Sequence, residues 1–430
     1  MTQIDDTAPS GSTAMLSALL AGRAKLLRQY FTAISGSAGR LVFSLVYFIA
    51  LANSLEIADF GLFATASAAG VMLSRVLAFG FMAPLYRIAT VKPLLVGVFA
   101  GGFILTSILS LPLLGLATLA VHQIFFGTSM AFMLFAGVVF AEALLWRPTE
   151  AVIIVNNGMN RFGRAAMLVI FGTATRAAAA FSFAFVPEKS LAVWVAFYIG
   201  ANAVSLAVAL FFFPRQRIRF RPRLYWRRMA DAIYVGGAEI LFYLQTELDK
   251  LLVLALGGPT LAGIYAIIMR LVDLTAIPVR TFTMLLVQRM MRMPHMLKSI
   301  WHRVGVESGI FVVSTLAILV LGTLLHFFPT ILGRNVAEAA PLVIFALFVP
   351  GLRNLTEYQA ELLFARGQTL VRVINLSLLA GLKAVVLTGI LGAASTTETM
   401  VVLLNGMFAV LYLASMLLTY AAMRMPAKLA

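Results

Sequence analysis

The chain has 430 residues, of which 61% are hydrophobic and only 12% are charged, and its formal net charge is +16. A soluble globular domain carries roughly twice that share of charged residues, so the composition excludes a soluble protein and predicts an all-α polytopic membrane protein. The absence of cysteine excludes disulfides and thiolate metal sites, and the four histidines lack the spacing of metal ligands, so no metal site is expected.

Apolar runs of about 20 residues, the length that crosses a bilayer as a helix, occur twelve times and are numbered here as spans 1 to 12. The connections between them are too short to hold a catalytic domain, so we expect no enzymatic activity and no cofactor. The predicted ranges are 31–51, 62–86, 94–121, 131–156, 165–186, 191–213, 231–256, 261–287, 304–328, 337–364, 370–393 and 399–422.

Basic residues crowd into alternate connections. The segment before span 1 and the segments after the even-numbered spans, counted with Arg372 in the first turn of span 11, hold 22 lysines and arginines. The segments after the odd-numbered spans hold only Lys189 and Arg334. Because cytoplasmic connections are enriched in Lys and Arg, this pattern predicts that both termini face the cytoplasm.

Seven arginines lie in the segment that separates two apolar halves of the chain. Next to Tyr225 and Trp226, such a run could be a nucleic-acid patch, but its place between spans indicates an orientation signal, so no nucleic-acid partner is expected. The predicted division is a cytoplasmic tail and interfacial helix (1–29), an N-lobe of spans 1–6 (30–213), a basic cytoplasmic linker (214–230) and a C-lobe of spans 7–12 (231–430). The arginines are Arg215, Arg217, Arg219, Arg221, Arg223, Arg227 and Arg228.

The two halves repeat each other. Residues 58–64 (ADFGLFA) lead into span 2, and residues 260–266 (TLAGIYA) lead into span 8. Residues 147–150 (RPTE) in span 4 match residues 353–357 (RNLTE) in span 10. Since both halves have six spans and begin on the same side, we expect a parallel repeat about an axis along the membrane normal.

Charged side chains occur inside the spans, where each costs roughly 2.5–3.5 kcal/mol unless it faces protein or water. Four cations have no acidic residue within one helical turn, so their partners are expected on another helix or in a ligand. Several such cations around one cavity suit an anionic cargo, above all a phosphate or diphosphate. These predicted cargo-binding residues are Arg40, Arg75, Arg176 and Lys383.

Spans 4 and 10 also carry acids close to arginines, which are expected to relay protons or to hold a coupling cation. Arg270 and Asp273 are neighbours on span 8, where an internal pair and a cavity site both remain open. The predicted charge network consists of Arg147, Glu150, Arg353, Glu357 and Glu361.

The chain resembles polysaccharide flippases of the Wzx type, within the multidrug/oligosaccharidyl-lipid/polysaccharide exporter superfamily. The resemblance rests on residues 59–63 (DFGLF), 249–252 (DKLL) and 262–265 (AGIY), and on the twelve spans. It implies a V-shaped pair of six-helix lobes around a cavity that opens alternately to each side. The implied cargo is a polyprenyl-diphosphate-linked oligosaccharide, carried across the bacterial inner membrane for lipopolysaccharide or exopolysaccharide synthesis.

The partners that this resemblance implies are the lipid-linked oligosaccharide, membrane lipids and the polysaccharide polymerase machinery. A second hypothesis remains open, a cation-coupled multidrug or metabolite antiporter of the same superfamily. Such an antiporter is expected to have a cavity dominated by acids, whereas span 1 holds Arg40 and no acidic residue.

Overall fold

A computed structural model describes residues 39–292, 300–333, 335–366 and 368–424, and these residues are almost entirely helical. The predicted tail and interfacial helix at 1–29 lie outside the described residues. Within them, seven helices are long and apolar enough to cross a membrane, and the helix Pro222–Arg280 among them holds two predicted spans. The other spans are shorter or interrupted.

The helices follow the predicted order of spans. Spans 7 and 8 form one helical run, interrupted only at Gly258, whose φ of 80° lies outside the helical region. The observed helices, from span 1 to span 12, are Gly39–Ala52, Ile57–Leu73 with Met82–Val91, Val96–Val121, Phe132–Phe140 with Arg147–Gly158, Phe162–Phe183, Leu191–Phe211, Pro222–Arg292 for spans 7 and 8, Ile300–Phe327, Val349–Ala365, Thr369–Ala393 and Thr397–Met423.

Two spans contain irregular turns in the membrane. Span 2 is broken at Leu77–Gly80, where Ala78, Phe79 and Gly80 all have positive φ. Span 4 widens into a π-helical turn at Ala141–Trp146, directly before Pro148. Proline has no amide hydrogen and its ring clashes with the carbonyl four residues earlier, so Pro148 explains the wider turn. π-Helical turns of this kind are frequent at functional sites.

The connections after the even-numbered spans meet at one end of the helix bundle, which we call the basic end. Gln216, after span 6, bonds to Pro93, after span 2, and to Gly97, at the start of span 3. Gln368, after span 10, donates to the carbonyl of Ala422 at the end of span 12 (2.9 Å). The basic connections after spans 2 and 6 therefore lie together, as do those after spans 10 and 12. The side of the membrane that they face stays a prediction.

The connections after spans 1 and 9 meet at the opposite end. Asn53 donates its side-chain amide to the Leu332 carbonyl (2.8 Å) and accepts from the Asn335 amide nitrogen (3.2 Å). Asn335 in turn donates its side chain to the Leu55 carbonyl (2.7 Å). We call these reciprocal bonds the asparagine latch, and they close this end between the two halves of the chain.

The segment between the halves is shorter than predicted. The helix of span 7 begins at Pro222, so residues 222–230 of the predicted linker are helical. Proline is favoured in the first turn of a helix because its missing amide hydrogen has no partner there. The division of the chain into two lobes remains a prediction.

Candidate functional site

A cavity of about 240 Å³ lies between spans 1 and 2 on one side and spans 7 and 8 on the other. The wall from spans 1 and 2 is largely apolar and aromatic, with Tyr47, Phe60 and Phe63. The wall from spans 7 and 8 carries the charges. Its charged lining residues are Glu247, Lys250, Arg270 and Asp273.

Two arginines near this cavity have no acid within ion-pair distance among the described residues. Arg270, which lines the cavity, donates a hydrogen bond to the hydroxyl of Ser44 on span 1. Arg40 stands one helical turn before Ser44, is exposed, and has no ion pair. Arg40 lies within electrostatic range of Arg270 and Arg176, and also of Glu150. Two like charges therefore lie close together beside the cavity, and an anion would neutralise them.

Arg75 forms an ion pair with Glu150, so its side chain is not reserved for a ligand alone. Its guanidinium makes two bonds to the Glu150 carboxylate, at 2.9 and 3.3 Å, and lies 4.2 Å from the centre of the Tyr243 ring. Arg147, whose side chain is only 2% exposed, also binds Glu150 (2.9 Å) and reaches Glu239 on span 7 (2.8 Å). This cluster joins spans 2, 4 and 7.

The second half of the chain contains an equivalent cluster. Glu357 on span 10 binds Arg280 on span 8 (2.8 Å) and lies 3.6 Å from Arg353 on its own helix. Asp273 then bridges the same two arginines, at 3.1 Å from Arg280 and 3.2 Å from Arg353. In each half, one glutamate thus binds an arginine from the second helix and an arginine from the fourth helix.

Arg176 lies deep in the first half of the bundle. It bonds to Asn202 (2.6 and 3.0 Å) and approaches Glu142 at 3.5 Å, and its guanidinium lies 4.3 Å from the Trp146 ring centre. Glu142 sits in the π-helical turn and also accepts bonds from Tyr198 and from Ser67 (3.0 Å). A buried carboxylate needs such donors to remain charged.

Lys383 is buried in the second half, with a side chain that is 3% exposed. It donates to the Gln245 carbonyl (2.5 Å) and lies 3.8 Å from Asp249, which also accepts from Tyr265 (2.6 Å). Lys383 lines a second, small cavity of about 20 Å³ together with Arg353 and Glu357.

The sequence-predicted cations thus divide into two kinds. Arg75, Arg176 and Lys383 have acidic partners on other helices, which is one of the two possibilities that their spacing left open. Arg40 has none among the described residues. In the predicted network, Glu361 instead binds Arg372 on span 11 (2.7 Å). Within the same ranges, no group of three or more metal-binding side chains occurs.

Sequence reasoning did not assign Arg270 to the cargo site, because Asp273 lies one turn away on the same helix and an internal pair and a cavity site were both open. The internal pair does not form, and both residues line the cavity. Asp273 faces Arg280 and Arg353, whose two positive charges hold it, and Arg270 turns to span 1 instead. No signal in a single sequence distinguishes these two arrangements, since both neighbours lie within helical reach.

These helices and the cavity between them define a polytopic α-helical membrane protein. Its fold is similar to that of solved transporter structures, as the predicted all-α architecture implied. A structure of a multidrug resistance MATE family transporter of the MOP superfamily, in an inward-facing conformation, matches with a TM-score of 0.63 and 13% identity, over 90% of this chain and 94% of that one.

Two further structures, of MATE in complex with MaD3S and with MaL6, match with TM-scores of 0.59 and 0.57 and identities of 11% and 12%. Each match covers 93% of this chain and 96% of the other. No protein-family model and no curated protein matches the chain. At these identities the likeness establishes the fold alone.

Proposed function

We propose that the chain is a flippase for a polyprenyl-diphosphate-linked oligosaccharide, which it moves from the cytoplasmic to the outer leaflet by alternating access. The observation that carries this proposal is the pair Arg40 and Arg270, which lack acidic partners among the described residues and stand beside the cavity between the two halves. Guanidinium groups bind phosphate oxygens bidentately, so two of them suit a diphosphate better than a single charge.

The cavity walls fit the two chemical parts of this cargo. The arginines offer donors for the diphosphate, and the Tyr47, Phe60 and Phe63 wall offers apolar surface to sugar rings. The other three predicted cations are already paired with carboxylates, so an anion would have to displace an acidic side chain to bind them. These cations are Arg75, Arg176 and Lys383. We therefore assign the first contact with cargo to Arg40 and Arg270, and a supporting electrostatic role to the other three.

The alternative is a cation-coupled multidrug or metabolite antiporter, and the likeness to multidrug MATE structures favours it. A cationic substrate needs a free carboxylate in the cavity. The two acids that line it are both paired, Glu247 with Lys250 and Asp273 with Arg280 and Arg353. The charged residues that line the cavity therefore favour an anionic cargo over a cationic substrate.

The glutamates of the two equivalent clusters, Glu150 and Glu357, are the proposed coupling groups. Each of these carboxylates is partly exposed and forms ion pairs with two arginines. Protonation of the carboxylate would therefore release both arginines. The proposed coupling requires that translocation in proteoliposomes respond to a pH or cation gradient. Translocation indifferent to both gradients would remove this part of the proposal.

A deletion strain that lacks the gene separates the two functions. Complementation by the wild-type chain should restore surface polysaccharide, whereas Arg40→Gln and Arg270→Gln should restore little at equal membrane abundance. Arg87→Gln, which removes an exposed arginine after span 2, is the matched control and should complement fully. The alternative predicts instead that deletion raises drug sensitivity and leaves surface polysaccharide unchanged.

A further inference from the structure

The arginine-rich segment between spans 6 and 7 is held in place by bonds to span 3. We call residues 214–223 the arginine strap. The side chain of Gln216 accepts a bond from the Gly97 amide nitrogen (2.9 Å) and donates one to the Pro93 carbonyl (2.8 Å). The Arg219 amide nitrogen points to the Gly97 carbonyl at 3.4 Å.

A buried tyrosine fixes the other end of the strap. The Tyr225 hydroxyl accepts from the Arg221 amide nitrogen (2.9 Å) and lies 2.8 Å from the carbonyl oxygens of both Val98 and Arg219. Span 3 has glycine where the strap approaches it most closely. A methyl group on Gly101 would meet the Arg219 carbonyl at 2.8 Å, and one on Gly97 would collide with the Arg217 carbonyl.

These bonds fix the backbone of the arginine strap and leave its arginine side chains on the surface of the protein. All seven arginines between residues 215 and 228 are exposed, and among the described residues only Arg228 has an ion pair, with Asp231 at 3.8 Å. Arginines two residues apart can be separated by no more than about 7 Å of chain, which is less than the screening length of about 8 Å at physiological salt. Their repulsion is therefore only partly screened, and a bound anion would relieve it.

The surface beside the strap is apolar, and this indicates what kind of anion would bind to the arginines. Leu94, Phe211 and Trp226 are 90%, 89% and 79% exposed, and they adjoin the ends of spans 3 and 6 and the start of span 7. Tryptophan is enriched where a membrane protein crosses the lipid–water interface. A water-soluble polyanion would leave these side chains in water, whereas a bilayer would cover them.

We propose that the arginine strap is a built binding site for the phosphate groups of anionic phospholipids. Gln216, Tyr225 and the two glycines of span 3 hold the backbone, so that the arginine side chains meet the headgroups as an ordered row. This site is distinct from the cavity between the two halves, and it does not depend on the identity of the cargo.

Native mass spectrometry of the full-length protein, with phosphatidylglycerol and phosphatidylcholine offered together, tests this proposal. Wild type should retain phosphatidylglycerol in preference. Replacing the five strap arginines by glutamine should lower that retention by about tenfold or more. The matched control removes five other basic residues of the same end, namely Arg87, Lys92, Arg161, Arg164 and Arg424, and should stay close to wild type.

A charge-neutral variant tests the geometry separately. Gln216→Ala keeps all seven arginines but removes both side-chain bonds to span 3, and it should lower phosphatidylglycerol retention while remaining monodisperse. Three results would overturn the proposal. The first is an equal loss of phosphatidylglycerol retention in the strap variant and in its control, and the second is full phosphatidylglycerol retention by Gln216→Ala. The third is a wild-type protein that shows no preference for phosphatidylglycerol and captures a polynucleotide or an acidic protein instead.

Discussion

Gly61 and Gly263 occupy the same position in the two repeats, and they touch each other. A methyl group built on Gly61 would lie 2.9 Å from the Cα of Gly263 and would collide with its amide nitrogen and with the Pro259 carbonyl. A methyl group on Gly263 would collide with the Ile57 carbonyl. The starts of spans 2 and 8 therefore meet backbone to backbone, as small residues allow in membrane helices.

We expect Gly61→Ala to push these two helices apart and to destabilise the protein by about 1–3 kcal/mol, the usual cost of overpacking. The colliding atoms are backbone atoms and cannot rotate away. Thermal unfolding of the purified protein measures the effect. Gly115→Ala in span 3 is the control, since nothing lies within 4 Å of the added methyl group. An unchanged Tm for Gly61→Ala would mean that the helices are not in contact.

The asparagine latch joins the connections after spans 1 and 9. We expect its hydrogen bonds to break whenever the cavity opens to that end of the helix bundle. Because the chain contains no cysteine, Asn53→Cys with Asn335→Cys introduces a single thiol pair at residues already joined by a 3.2 Å bond. Oxidation should form a disulfide and stop translocation, and reduction should restore it. The two single-cysteine variants are the controls. Normal translocation by the fully cross-linked protein would show that this end need not separate.

The two glutamate clusters should contribute similarly to stability. Glu150→Gln and Glu357→Gln each leave two buried or partly buried arginines short of a counter-charge, which typically costs about 3–5 kcal/mol. Among the described residues, Glu361→Gln breaks only one ion pair, with Arg372, whose side chain is 20% exposed, and should cost about 1 kcal/mol or less. Tm values of the three purified variants give the comparison. Similar Tm values for all three would contradict a structural role for the clusters.

Much of the fold follows from the sequence because the bilayer permits few alternatives. Apolar runs long enough to span it must be helical, since no water is available to satisfy the backbone inside. The repeat was also predictable, and its matched residues 147–150 and 353–357 contain the glutamate and one arginine of each cluster. Less predictable was the turn at Leu77–Gly80, where Ala78 and Phe79 adopt positive φ without a glycine signal of their own.

The partners of the charged residues were the harder problem. Spacing along one helix identifies neighbours on that helix, but Arg75, Arg176 and Lys383 find their acids on spans 4 and 7. Which helices face each other depends on packing across the whole bundle. For the same reason the sequence left open whether Arg270 pairs with Asp273, and the structure shows that Arg270 reaches Ser44 on span 1 instead.

The most direct test of the account is the affinity of the purified full-length protein for a polyprenyl diphosphate, measured for wild type and for Arg40→Gln/Arg270→Gln. A hydrogen bond between charged groups contributes about 1.5–3 kcal/mol, so we expect the double variant to bind at least about tenfold more weakly, while Arg87→Gln binds as wild type. Equal affinity in the double variant and wild type would contradict the claim that these two arginines recognise the cargo.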